Sequence, residues 1–77
     1  MAVRSIKQRL DQSRRVLDGW EALDRPSGKL EDLLEMISRE IEALERLAIE
    51  NEDWVVPAHY LIGRYRGFRK GLMKKAN

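Results

Sequence analysis

Leu30-Glu31-Asp32-Leu33-Leu34-Glu35-Met36-Ile37-Ser38-Arg39-Glu40-Ile41-Glu42-Ala43-Leu44-Glu45-Arg46-Leu47-Ala48-Ile49-Glu50 is the stretch that decides the fold. Its apolar residues Leu30, Leu34, Ile37, Ile41, Leu44 and Ala48 recur at steps of three and four, with Leu33 and Leu47 widening the seam. That spacing places them on one side of an α-helix and predicts a helix over 29–50 with one face against other helices. Glu35 with Arg39 and Glu42 with Arg46 stand four residues apart in the favourable order, each pair adding about 0.2–0.5 kcal/mol to an exposed helix surface.

Working outward, Arg25-Pro26-Ser27-Gly28 interrupts the pattern on the amino side. Proline removes a donor and restricts its predecessor, while glycine adds turn freedom, so a short turn at 25–28 joins two antiparallel helices. Before it, Val3, Ile6, Leu10, Leu17 and Trp20 again alternate in threes and fours, with Ser13 in the one missing slot. This predicts a helix over about 5–24. Ser5 followed three residues later by Gln8 matches a capping box, and Gly19 is the weak interior position.

On the carboxyl side, Asn51-Glu52-Asp53 ends the central run, and Pro57 reads as the first position of a third helix over about 57–75. Ala58, Leu61, Tyr65, Phe68 and Leu72, with Trp54 one step upstream, fall within a sector of about 80° on a helical wheel. The expected architecture is therefore all-α: a single domain over 1–77, with a helical hairpin (5–24 and 29–50) and a third helix packed as a bundle or a coiled-coil-like assembly. The connections lie at 25–28 and 51–56. Running up, down and up, such a bundle puts Trp20 and Trp54 at opposite ends of the core.

A 77-residue domain buries only about 60% of its unfolded surface. With no cysteine and one histidine, disulfides and metals are closed as sources of extra stability, which makes association the expected one. The amino terminus carries no secretory apolar stretch, and nowhere do eighteen apolar residues run together, so a cytoplasmic protein without a membrane span is expected.

Charge is distributed unevenly. Residues 1–24 hold five bases and four acids, 25–53 four and nine, and 54–77 six and none, giving +1, −5 and +6. The last segment could grip phosphates through Arg64, Arg66, Arg69, Lys70, Lys74 and Lys75, with Tyr60 and Tyr65 available for stacking. Against this, the overall charge is nearly balanced, and the favoured reading lays the basic helix against the acidic middle helix, of its own chain or of a neighbour, or leaves it simply solvated.

Gly63, Gly67 and Gly71 stand four apart and align as a bare strip beside the apolar face. Each costs about 0.5–1 kcal/mol relative to alanine in a helix, so three together call for a gain such as close approach of another backbone. With Tyr60, Trp54 and Phe68 they form the candidate protein interface. The arginines threaded through this segment exclude a membrane span.

His59 has no companions for metal binding or proton transfer, and no phosphate loop, dinucleotide fingerprint, nucleophile elbow or zinc spacing occurs. No catalytic, cofactor or metal residue is assigned, and no small-molecule substrate or enzyme activity is expected.

The stretch Glu52-Asp53-Trp54, followed by Tyr60-Leu61-Ile62-Gly63-Arg64-Tyr65-Arg66-Gly67-Phe68-Arg69-Lys70-Gly71-Leu72, resembles the ends of small helical proteins encoded among the virion-assembly genes of tailed bacteriophages. The resemblance covers about a third of the chain and rests on a tryptophan after acids and a glycine-spaced helix after a long acidic one. It implies a structural or packaging accessory in many copies, found in the virion or the bacterial host cytoplasm. The expected function is thus a non-enzymatic assembly component that forms a homo-oligomer or docks on a larger phage complex. A small nucleic-acid-binding or regulatory protein is the alternative, and a phage-encoded inhibitor of a host protein a further one.

Overall fold

A computed structural model of the chain describes residues 5–22 and 29–76, with side chains as far as Lys74. Three helices, α1 (Ile6–Glu21), α2 (Leu30–Glu50) and α3 (Val55–Ala76), account for nearly all of them, and no strand occurs among the described residues. Val3, the turn at 25–28 and the side chain of Lys75 lie outside the described residues.

Local chemistry sets the helix ends. Ser5 Oγ accepts from the Gln8 amide at 3.2 Å and the Ser5 amide donates to Gln8 Oε1 at 3.2 Å, which closes the expected capping box at the start of α1. At the end of α2, Asn51 leaves helical geometry, and both its amide (2.9 Å) and its side-chain Nδ2 (3.0 Å) donate to the Leu47 carbonyl. The Asn51 carbonyl in turn accepts from the Trp54 amide at 2.9 Å, starting a single 3-10 turn over Glu52–Trp54 that runs directly into α3. The second connection is therefore shorter than 51–56, and α3 begins at Val55 instead of Pro57. Proline is tolerated there because the amides of a helix's first turn have no intrahelical acceptor. Of the two expected ion pairs on α2, Glu35–Arg39 closes at 2.5 Å, and none joins Glu42 to Arg46.

Arg9 and Ser13 of α1 meet Glu40, while Arg66 and Arg69 of α3 meet Glu45 and Ser38. The order of the α3 contacts, Arg66 to Glu45 and Arg69 to Ser38, runs α3 antiparallel to α2. Backbone approach is closest between α2 and α3, and α1 comes nearer to α3 than to α2. The tight hairpin is thus formed by the second and third helices, with α1 laid across it.

The buried stripe of α2 is Leu33, Ile37, Ile41, Leu44 and Ala48. Leu34 and Leu47 pack on its margins, and Leu30, the first residue of the helix, is exposed. From α3 come Ala58, Leu61, Ile62, Tyr65 and Leu72, and from α1 Leu10 and Leu17. Ile62 extends the expected α3 stripe on the side away from Leu61. Trp20 stacks on Phe68 (centroids 6.1 Å apart) and meets Tyr65 edge-on at 6.4 Å, whereas Trp54 packs against the core beside the α2–α3 corner. Trp20 thus meets α3 at the level of Tyr65 and Phe68, with the buried Leu72 one turn further on.

One slot in this core is polar. Ser13, only 2% exposed, receives a hydrogen bond from Arg9 Nη1 (2.6 Å) and donates to Glu40 Oε1. Arg9 Nη2 also pairs with Glu40 at 2.7 Å, and the fully buried Tyr65 hydroxyl donates to the Ser13 carbonyl at 2.6 Å. Residues from all three helices meet here, and no buried polar side-chain atom among the described residues lacks a partner. Burial, followed by the nearby negative charge of Glu40, pushes the Tyr65 hydroxyl up to about 12.

Because the folded-state value lies above the ordinary 10.0, the neutral phenol favours the fold. That contribution is complete below pH 10 and is lost as pH rises from about 10 to about 12, with a slope of at most about 1.4 kcal/mol per pH unit. In Tyr60→Phe, where Tyr65 is the sole tyrosine, phenolate absorbance should rise in that window together with loss of helical circular dichroism. Tyr65→Phe should flatten this alkaline loss and lower stability in urea at neutral pH by about 1 kcal/mol.

Candidate functional site

The outer side of α3 carries two exposed large apolar side chains, Val56 and Tyr60, in line with three glycines. At 100° per residue, Gly63, Gly67 and Gly71 lie within about 80° of one another and about 160° from the centre of the buried α3 stripe. They are exposed, so the strip faces outward, opposite the apolar face and not beside it as the sequence reading had it. A methyl group built on any of the three meets nothing within 4 Å. The chain's own helices thus make no close approach there, and the expected gain from backbone contact is not realised within one chain.

Val56 (79% exposed) and Tyr60 (66% exposed) continue the same line toward the amino end of α3, and Lys70 and Lys74 lie along it toward the other end. The remaining interface candidates, Trp54 and Phe68, are half-buried against the chain's own core and belong to the fold first. His59 is exposed. No group of histidines, cysteines and carboxylates among the described residues has the arrangement of a metal site.

The basic residues divide into two sets. Arg64 reaches Asp18 at 2.8 Å and also pairs with Glu21, both on α1, and the hydrogen bonds it donates to these two carboxylates raise its pKa above the ordinary value. Arg66 pairs with Glu45 at 2.9 Å, and Arg69 donates to Ser38 at 3.3 Å. Three of the six candidate phosphate contacts are thus engaged by the other two helices. Lys70 and Lys74 form no ion pair among the described residues. The sequence pointed to the acidic α2 as the counterpart of the basic helix, but not to Asp18 and Glu21, because the α1–α3 contact has no local signature in the chain.

A second surface feature is a cleft of about 370 Å³ where α1 and α2 diverge. Val16, Trp20 and Met36 form its apolar part, and Arg9, Gln12, Ser13 and Glu40 its polar part, with Tyr65 contributing from α3. Arg9, Ser13, Glu40 and Tyr65 make their polar contacts with one another. The sequence signalled this cluster only through the polar Ser13 in an otherwise apolar row.

No protein-family model matches the chain, and neither a curated protein nor a solved structure does. No helix among the described residues is long and apolar enough to cross a membrane.

Since space is open at each glycine, Gly63→Ala and Gly71→Ala should each raise the stability of the single chain by about 0.5–1 kcal/mol through helix propensity. Thermal unfolding at high dilution, followed by circular dichroism, measures this. A loss of stability would mean that the strip is covered within the chain.

Proposed function

We propose that this protein is a non-catalytic helical assembly component that binds a protein partner through the outer face of α3. The observation that carries the reading is the uncovered line of Val56, Tyr60 and the glycines, set on the opposite side of α3 from the core. Large apolar groups beside backbone without side chains suit a flat, closely fitting helix contact, where the approach of a second backbone offsets the propensity cost of glycine. The limited core of a 77-residue chain supports the same reading, since association would supply burial that the single chain lacks. The resemblance of the last third of the chain to phage virion-assembly proteins suggests a structural or packaging setting for that contact.

The alternative draws on Lys70 and Lys74, which have no ion-pair partner among the described residues and could contact phosphates. Sedimentation of the pure chain with duplex DNA at about 50 and about 200 mM salt separates the two, because binding through phosphates weakens steeply over that range. The expected result is a sedimentation coefficient independent of DNA at both salt concentrations. Salt-sensitive co-sedimentation that disappears in Lys70→Glu/Lys74→Glu would replace the protein-contact reading with the nucleic-acid one.

A further inference from the structure

We infer that the partner on the α3 face is a second copy of this chain, bound antiparallel about a two-fold axis beside Gly63 and Gly67. This rests on the protein-docking reading above and names its occupant.

The argument begins with how unlike the two ends of the face are. At its amino end Glu52 and Asp53, in the turn that leads into α3, are exposed and form no ion pair among the described residues, and Val56 and Tyr60 follow within two turns of the helix. At its carboxyl end Lys70 and Lys74 are exposed and likewise unpaired. An isologous contact requires a surface complementary to itself after a half-turn. This surface meets the requirement in one direction only. Antiparallel pairing brings the acidic and apolar end of one copy to the basic end of the other and opposes the two helix dipoles. Parallel pairing would set lysine beside lysine and acid beside acid.

Shape points to the same register. When Gly63 of one copy meets Gly67 of the other, Tyr60 faces the space between Gly67, Lys70, Gly71 and Lys74 of the second copy. Those four positions, spaced i, i+3, i+4 and i+7, are the four sides of a hole that receives a knob in helix–helix packing. Two sides are glycines with open space above them, so the hole is wide and deep enough for a phenol ring. The other two are lysines, whose stems can cover the ring and whose ammonium groups can lie over its face. Lys74 then stands opposite Val56 of the second copy, within one helical turn of Asp53.

The flanks of the face do not oppose this pairing. Arg64 on one side is held by Asp18 and Glu21, and Arg66 on the other by Glu45. Two α3 helices can therefore approach without bringing unpaired arginines together; of the lysines that enter the contact, Lys70 lies over Tyr60 and Lys74 comes within a turn of Asp53.

Sedimentation equilibrium of the full chain over a concentration series tests the inference. The expected outcome is a reversible dimer whose dissociation constant rises about tenfold or more in Gly67→Leu. Helical circular dichroism should be retained in that variant, because a side chain there has open space in the single chain. Lys70→Glu/Lys74→Glu should weaken the dimer similarly, and adding Glu52→Lys/Asp53→Lys to the same chain should restore it, as only an antiparallel pair brings these ends together. A chain that remains monomeric at every concentration overturns the second copy as occupant while leaving docking on a different protein in place. A dimer indifferent to Gly67→Leu, or one not rescued by the charge exchange, also overturns it. Salt-sensitive DNA binding in the preceding experiment would instead overturn the docking reading itself.

Discussion

Tyr65 is the side chain through which the three helices hold one another. Its ring is fully buried from α3 in the space shared with α1 and α2, it receives the edge of Trp20, and its hydroxyl reaches across to the Ser13 carbonyl. The serine side chain then links to Glu40, and Glu40 to Arg9. A buried polar cluster of this kind contributes little net stability when complete, yet it is costly to leave incomplete, because each group would be stranded away from water. It therefore discriminates among helix arrangements more than it adds to the folding free energy. A bundle in which α1 slid by one turn along α2 would keep much of its apolar contact but would lose these bonds.

That constraint explains why α1 sits where it does. Its backbone comes closer to α3 than to α2, and it reaches α2 through Arg9 and Ser13 on Glu40, so the two helices diverge and leave the cleft between Val16, Trp20 and Met36. The α2–α3 pair, by contrast, meets along nearly continuous rows of leucine, isoleucine and alanine and brings its backbones closest. Hydrophobic burial thus provides most of the adhesion, while the polar cluster and the Arg64 pairs with Asp18 and Glu21 set the position of the first helix.

With one side of α3 committed to the core and its arginines committed to α1 and α2, the outward side is left with small and apolar residues in the middle and opposite charges at the two ends. The division follows from helix geometry: residues separated by seven or eleven positions return to the same side. Val56, Gly63, Gly67 and Lys74 are therefore brought into one line although buried residues such as Ala58, Leu61, Ile62, Tyr65 and Leu72 stand between them in the sequence. The three glycines lower the helix's own stability, a cost that the proposed contact would offset.

The sequence by itself determined the all-α class, the three helices, the capping box at Ser5 and most of the buried positions. These are local matters, fixed by period, capping chemistry and helix breakers, and they are readable wherever apolar residues recur in threes and fours. Even the polar Ser13 in an apolar row could be seen to occupy a core slot. What only the tertiary structure decided is which helices pair most closely, which acids meet Arg64, and that Glu40 is drawn to Ser13. It also decided that the glycine strip points away from the core. Those outcomes depend on residues 27 to 52 positions apart, and a periodic pattern shows which side of each helix is apolar without showing which partner it meets. The rotation of each helix about its axis is chosen by side-chain fit among all three helices at once, and no single segment contains that information.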